Sequence, residues 1–96
     1  MIKHIVCFKL KDNSDCEKKK VRELLLSMKE HVPTVTDIEV GCDFLASERS
    51  YDVILQVTLK DKATLDVYQN DEYHVNTVKS YMHKAASASI AVDYEI

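Results

Sequence analysis

The pattern of apolar residues predicts an α+β fold in the order β-α-β-β-α-β. Three observations carry it. Four segments alternate apolar and polar residues as β-strands do. Two segments carry apolar stripes at the three-to-four spacing of an amphipathic helix. A chain of 96 residues with one Gly and one Pro fits a single domain over residues 1–96 and leaves little room for long irregular loops.

Residues 2–10 form the first predicted strand. Ile2, His4, Val6, Phe8 and Leu10 share one face; Lys3, Ile5, Cys7 and Lys9 share the other. "SDCE", Ser14 to Glu17, has the form of a capping box. The helix it opens carries Val21, Leu24, Leu25, Met28 and Val32 as one stripe, with Lys18, Lys19, Arg22 and Glu23 on a solvated face. Pro33 ends this helix, because a proline disfavours helical geometry in the residue before it. Residues 34–46 are β-branched and alternating, with Ile38, Val40, Cys42 and Phe44 on one side; Gly41 inside the run predicts a bulge or bend.

"SERS", residues 47–50, is a polar turn. Residues 51–59 hold the most regular alternation, Tyr51, Val53, Leu55, Val57 and Leu59, and pair with the preceding strand as an antiparallel hairpin. Asp61 is a good N-cap for the second helical region. Its stripe begins with Leu65 and Tyr68, breaks at "QNDE", where Asp71 is a candidate second cap, and resumes as Val75, Val78, Met82 and Ala85. Residues 87–96 alternate again, Ile90, Val92, Tyr94 and Ile96 against Ser89, Ala91, Asp93 and Glu95.

This order is the split βαβ, ferredoxin-like plan, an antiparallel four-stranded sheet with both helices on one face. Cys7 is expected to point toward the helices, and Val6, Phe8 and Leu55 onto the other face, where they would form an exposed apolar patch. A second copy of the sheet is the economical cover, which predicts a homodimer closed into an α+β barrel. The formal net charge of -3 argues against nucleic acid or an anionic membrane as partner. No apolar segment approaches the roughly 20 residues of a membrane span. Cys7, Cys16 and Cys42 are an odd, widely spaced set without a zinc pattern, which predicts reduced thiols in a cytoplasmic protein. No glycine-rich phosphate loop and no metal-ligand spacing points to a cofactor or a metal.

The chemistry is concentrated in "YQNDEYH", Tyr68 to His74. An imidazole titrates at about 6.5, so His74 can take a proton near neutral pH, and in a water-poor pocket it can abstract one next to a carbonyl. Tyr68 can donate a hydrogen bond to the enolate oxygen that develops. His4 can orient a polar group of a ligand. Each residue also has a plain structural role: Tyr68 continues the stripe from Leu65, His74 can be a solvated residue at a helix start, and His4 can be a buried, hydrogen-bonded histidine. Tyr81, seven residues past His74, falls on the same helical face and either walls a pocket or packs in the core.

"HIVCFKL" in the first strand, "YDVILQVTL" in the third, "YQNDEYH" and the closing "VDYEI" together resemble the stress-responsive A/B barrel (Dabb) family over essentially the whole chain. The resemblance implies ferredoxin-like protomers paired as a dimeric α+β barrel. It implies no single activity: some members are stress-associated proteins, and one branch is a plant polyketide cyclase that works without a cofactor. Tyr68 and His74 match the tyrosine and histidine of that cyclase, and His4 matches a pocket histidine of its first strand, on a face the resemblance turns to the barrel interior. Val53 stands where the cyclase has another histidine. "DEY", Asp71 to Tyr73, replaces a segment that often carries His-Pro, and Ser89 and Ala91 are smaller than the cyclase's pocket residues. The expected ligand site comprises His4, Val6, Phe8, Val53, Leu55 and Tyr81 around the pair Tyr68 and His74. The expected function is binding of a small organic ligand with no reaction assigned; the alternative is a cofactor-independent cyclase, lyase or isomerase with His74 as base.

Overall fold

Ser14 and Asp61 each start a helix with an extended backbone and a side chain that accepts from the third residue onward, Glu17 N at 3.3 Å and Thr64 N at 2.8 Å. In the computed structural model, which describes residues 1–96, the order is β1 (Ile2–Leu10), α1 (Asp15–Leu26), α2 (Met28–His31), β2 (Asp37–Cys42), β3 (Val53–Leu59) and α3 (Lys62–Gln69). A π-helical turn (His74–Lys79) then runs straight into α4 (Ser80–Ala85), and β4 (Ala86–Glu95) closes the chain. The capping box is only half formed. Asp12 takes the Ser14 N–H, and the Glu17 carboxylate accepts from the Tyr81 hydroxyl instead. Val32 is extended before Pro33, as the proline requires.

The strands form one antiparallel sheet in the order β2-β3-β1-β4, the ferredoxin-like arrangement. The buried side of the sheet carries Ile2, His4, Val53, Leu55, Val57 and Leu59, which pack under Val21, Leu25, Met28, Tyr68, Val78 and Met82 of the helical layer. Four successive alternate positions of β3 are buried here, so this face takes the longest apolar row the sequence offers.

That placement corrects the expected sidedness of the sheet. Val6, Phe8 and Leu55 face the helices, and Cys7, which alternates with them, lies on the uncovered face beside its cross-strand partners Ile54 and Ile90. The uncovered face is still apolar, because Ile90, Val92 and Tyr94 of β4 are 50%, 58% and 44% exposed there. Gly41 makes no bulge: β2 and β3 stay in register through Gly41 and Ile54. Its missing side chain is used for packing, since a Cβ at Gly41 would stand 3.3 Å from Ile54 Cγ2. The sheet's one register shift falls between Lys9 and Leu10 against β4. Phe44 lies beyond β2 and is almost wholly exposed, and Tyr51 precedes β3. No helix is long and apolar enough to cross a membrane.

Candidate functional site

Between α3, the π-helical turn and α4 on one side, and β1 and the start of β4 on the other, lies a solvent-open cleft of about 710 Å³. Val6, Phe8, Leu55, Val78 and Met82 give it an apolar wall. His4, Tyr68 and His74 stand together on it. The Tyr68 ring lies between the two imidazoles, with its centroid 5.6 Å from that of His4 in an edge contact and 4.6 Å from that of His74 at a tilt of 37°.

The positions of these three residues have local causes. α3 ends at Gln69, and Asp71 starts the next helical segment by accepting from Tyr73 N at 2.9 Å and His74 N at 3.2 Å. The polar break in the stripe is thus a helix stop and a new cap. His74 Nδ1 lies 3.3 Å from the Gln69 carbonyl oxygen. A carbonyl only accepts, so Nδ1 carries the proton and Nε2 keeps a free lone pair. Burial holds the His74 pKa below the usual imidazole range; the Gln69 bond opposes this, Lys79 and His4 add to it, and Asp71 opposes it. His74 is therefore a neutral base at physiological pH. His4, buried on β1, is hydrogen-bonded through Nδ1 to the Asp93 carboxylate across the β1–β4 pair. Asp93 orients the ring as carboxylates orient histidines in many proton-handling sites.

Tyr68 has no exposed surface, and its hydroxyl donates to Met28 Sδ at 3.6 Å. Burial, and the Asp71 carboxylate after it, push the phenol well above its ordinary pKa, so it stays protonated. A thioether is a weak acceptor, and the donor is held without being strongly committed.

Two expected members are absent from the cleft. Val53 is buried in the core without reaching it. Tyr81 turns away, with its hydroxyl 2.8 Å from Glu17 Oε2 and Lys20 Nζ 5.5 Å from its ring centroid. The π-helical turn is the reason. An i→i+5 bonding pattern takes one more residue per turn than the α-helix, so Met82 and not Tyr81 returns to the face of His74. The same shift leaves Val75 39% exposed, although the α-helical spacing placed it on the stripe. Tyr73, next to the site, ties helices together: its hydroxyl meets Ser27 Oγ at 2.6 Å and its ring stacks on His31 at 4.4 Å. Lys79, His83, Gln69 and Asn70 also line the cleft, and sequence spacing does not single them out. No three His, Cys, Asp or Glu side chains converge as a metal site.

The sheet order and one-sided helical layer define a ferredoxin-like α+β protomer, with a cleft between the layers. Solved structures share it. A dimeric ferredoxin-like protein of Bacteroides fragilis superimposes with a TM-score of 0.81 at 24% identity, covering 99% of this chain and 95% of that one. A protein of Arabidopsis thaliana gives 0.86 at 16% identity, covering 100% and 95%. A hydroxynitrile lyase of Passiflora edulis gives 0.83 at 12% identity, covering 99% and 92%. At these identities the likeness is one of fold. Among curated proteins nothing matches this chain. The chain belongs to the stress-responsive A/B barrel domain family, whose model matches residues 2–96.

Proposed function

We propose that this domain binds a small organic molecule in the cleft between its sheet and helices, and that it does so as a homodimer. The observation that carries the reading is the convergence of His4, Tyr68 and His74 on one cleft whose remaining wall is apolar. Apolar walls with a few oriented polar groups are the usual composition of ligand sites. The dimer reading rests on the exposed row Ile90, Val92 and Tyr94, and on fold relatives described as dimeric. The three free cysteines fit a reducing, cytoplasmic setting.

A second reading adds proton transfer. It is favoured by one feature, the bare Nε2 of His74, held neutral by burial and aimed by the Gln69 carbonyl. In this reading His74 Nε2 takes a proton from the carbon next to a bound carbonyl. The electron pair moves onto the carbonyl oxygen, and the Tyr68 hydroxyl turns from Met28 Sδ to the stronger oxyanion acceptor. No metal or organic cofactor takes part. The hydroxynitrile lyase among the fold relatives shows that one protein of this fold is a lyase.

The experiment uses 4-phenyl-2-butanone in D2O. Ligand-observed NMR reports binding, and loss of the α-proton signals reports abstraction. Binding by the wild type with exchange that disappears in His74→Ala supports both readings. Binding with equal, background exchange in both proteins leaves a binding domain and removes the catalytic reading.

A further inference from the structure

The cleft has a charge pattern that the chain as a whole does not. The sequence holds 16 acidic against 13 basic residues, yet the cleft is lined by Lys79 and the histidines His4, His74 and His83, with no Asp or Glu among its lining residues. The Asp93 carboxylate, beside His4 on the neighbouring strand, is hydrogen-bonded to the His4 ring. Lys79 forms no ion pair: the salt bridges of the chain are His4–Asp93, Lys29–Asp37 and Lys62–Glu95.

Backbone geometry places these groups together. In an α-helix two residues five apart point about 140° away from each other. His74 and Lys79 are the first and last residues of the π-helical turn, whose i→i+5 bonding brings such residues round to one side. Lys79 and His83 are then four apart, one turn above the other along the start of α4. The result is a basic edge, Lys79 and His83, over an apolar wall made by Phe8, Val78 and Met82.

We propose that the ligand of this cleft is an amphipathic carboxylate, with Lys79 and His83 receiving its acid group and the apolar wall its hydrocarbon body. The inference rests on the reading of the cleft as a ligand site and names the class of molecule it takes. A charge-assisted hydrogen bond from an exposed, otherwise unpaired ammonium discriminates an acid from its neutral amide by about threefold to fivefold. The bound anion also has an electrostatic signature at His74. That imidazole faces Lys79 from its own helical segment, His4 from β1 and Asp71 from the preceding turn, and the Lys79 ammonium disfavours its protonation. Neutralising Lys79 with an anion raises the His74 pKa, although the anion does not touch the ring.

The test compares 4-phenylbutyrate with 4-phenylbutyramide by titration calorimetry at pH 7.5, on the wild type and Lys79→Gln. Lys79 is exposed, so the variant is expected to fold. The wild type is expected to bind the acid about threefold to fivefold more tightly than the amide. Lys79→Gln is expected to lose most of that difference while its affinity for the amide stays unchanged. An NMR titration of His74 is expected to show its pKa rising with the acid bound and not with the amide. Equal affinity for the two probes, or a Lys79→Gln change that weakens both alike, overturns the carboxylate assignment and leaves the cleft as a ligand site. Absence of binding by either probe overturns the two together.

Discussion

His74 has one ring nitrogen committed to a carbonyl and one free, and this asymmetry is worth more than its position in the sequence. Its burial also has a consequence for stability. The folded-state pKa lies below the ordinary value of about 6.5, so as pH falls the unfolded chain takes up this proton first. The contribution of His74 is therefore neutral above the ordinary value and becomes destabilising as pH drops toward the folded value. Urea midpoints measured from pH 8 to pH 5 should fall less steeply in His74→Gln than in the wild type. Identical slopes would mean that the imidazole is as well solvated in the folded state as in the unfolded chain. Tyr68 behaves differently. It is a fully buried core residue whose ring is shared with the cleft, so in the ligand-free protein Tyr68→Phe should keep the packing and lose only the weak bond to Met28 Sδ, with a urea midpoint close to that of the wild type.

The elements were readable wherever period, cap and breaker agreed. Ser14, Asp61 and Asp71 cap as their residue types demand, Pro33 stops its helix, and β1, β3 and β4 follow their alternation. The sidedness of the sheet was not readable in the same way. β1 has apolar residues on both faces at its centre, so alternation alone does not say which face meets the helices; the unbroken buried row of β3 decides it. The π-helical turn was the larger omission. A stripe drawn with 3.6 residues per turn puts Val75 in the core and Tyr81 on the face of His74, whereas the wider turn leaves both out and brings Lys79 and Met82 to the side of His74. No residue type marks such a turn in one sequence, so spacing alone does not bring Lys79 and His83 to the cleft. Deleting Asn76, an exposed residue in the middle of the turn, should restore a plain α-helix. The helix content seen by circular dichroism is expected to persist. Cleft ligands are expected to keep their affinity, because the deletion leaves Met82 seven residues after His74, on the same face of a plain α-helix. Loss of ligand binding with helix content retained would contradict the view that the turn's extra residue only keeps His74 and Met82 on one face.

At the scale of the whole molecule, one layer of helices covers one face of the sheet and leaves Ile90, Val92 and Tyr94 in water on the other. A chain of 96 residues has a modest core, so burying this face in a second copy is a substantial addition. Sedimentation at micromolar concentration should give twice the mass of 11.0 kDa for the wild type and the monomer mass for Val92→Asp. A monomeric wild type would remove the proposed cover. The dimer leaves the cleft available, because the cleft lies on the opposite side of the sheet. The most direct measurement of the central claim is therefore protein-observed NMR of the dimer titrated with 4-phenylbutyrate. The shifts are predicted to concentrate on Val6, Leu55, His74, Val78, Lys79 and Met82, with the imidazole signals of His4 and His74 among the largest. Shifts confined to the β4 face at Ile90, Val92 and Tyr94, or none at millimolar ligand, would contradict the assignment of function to this cleft.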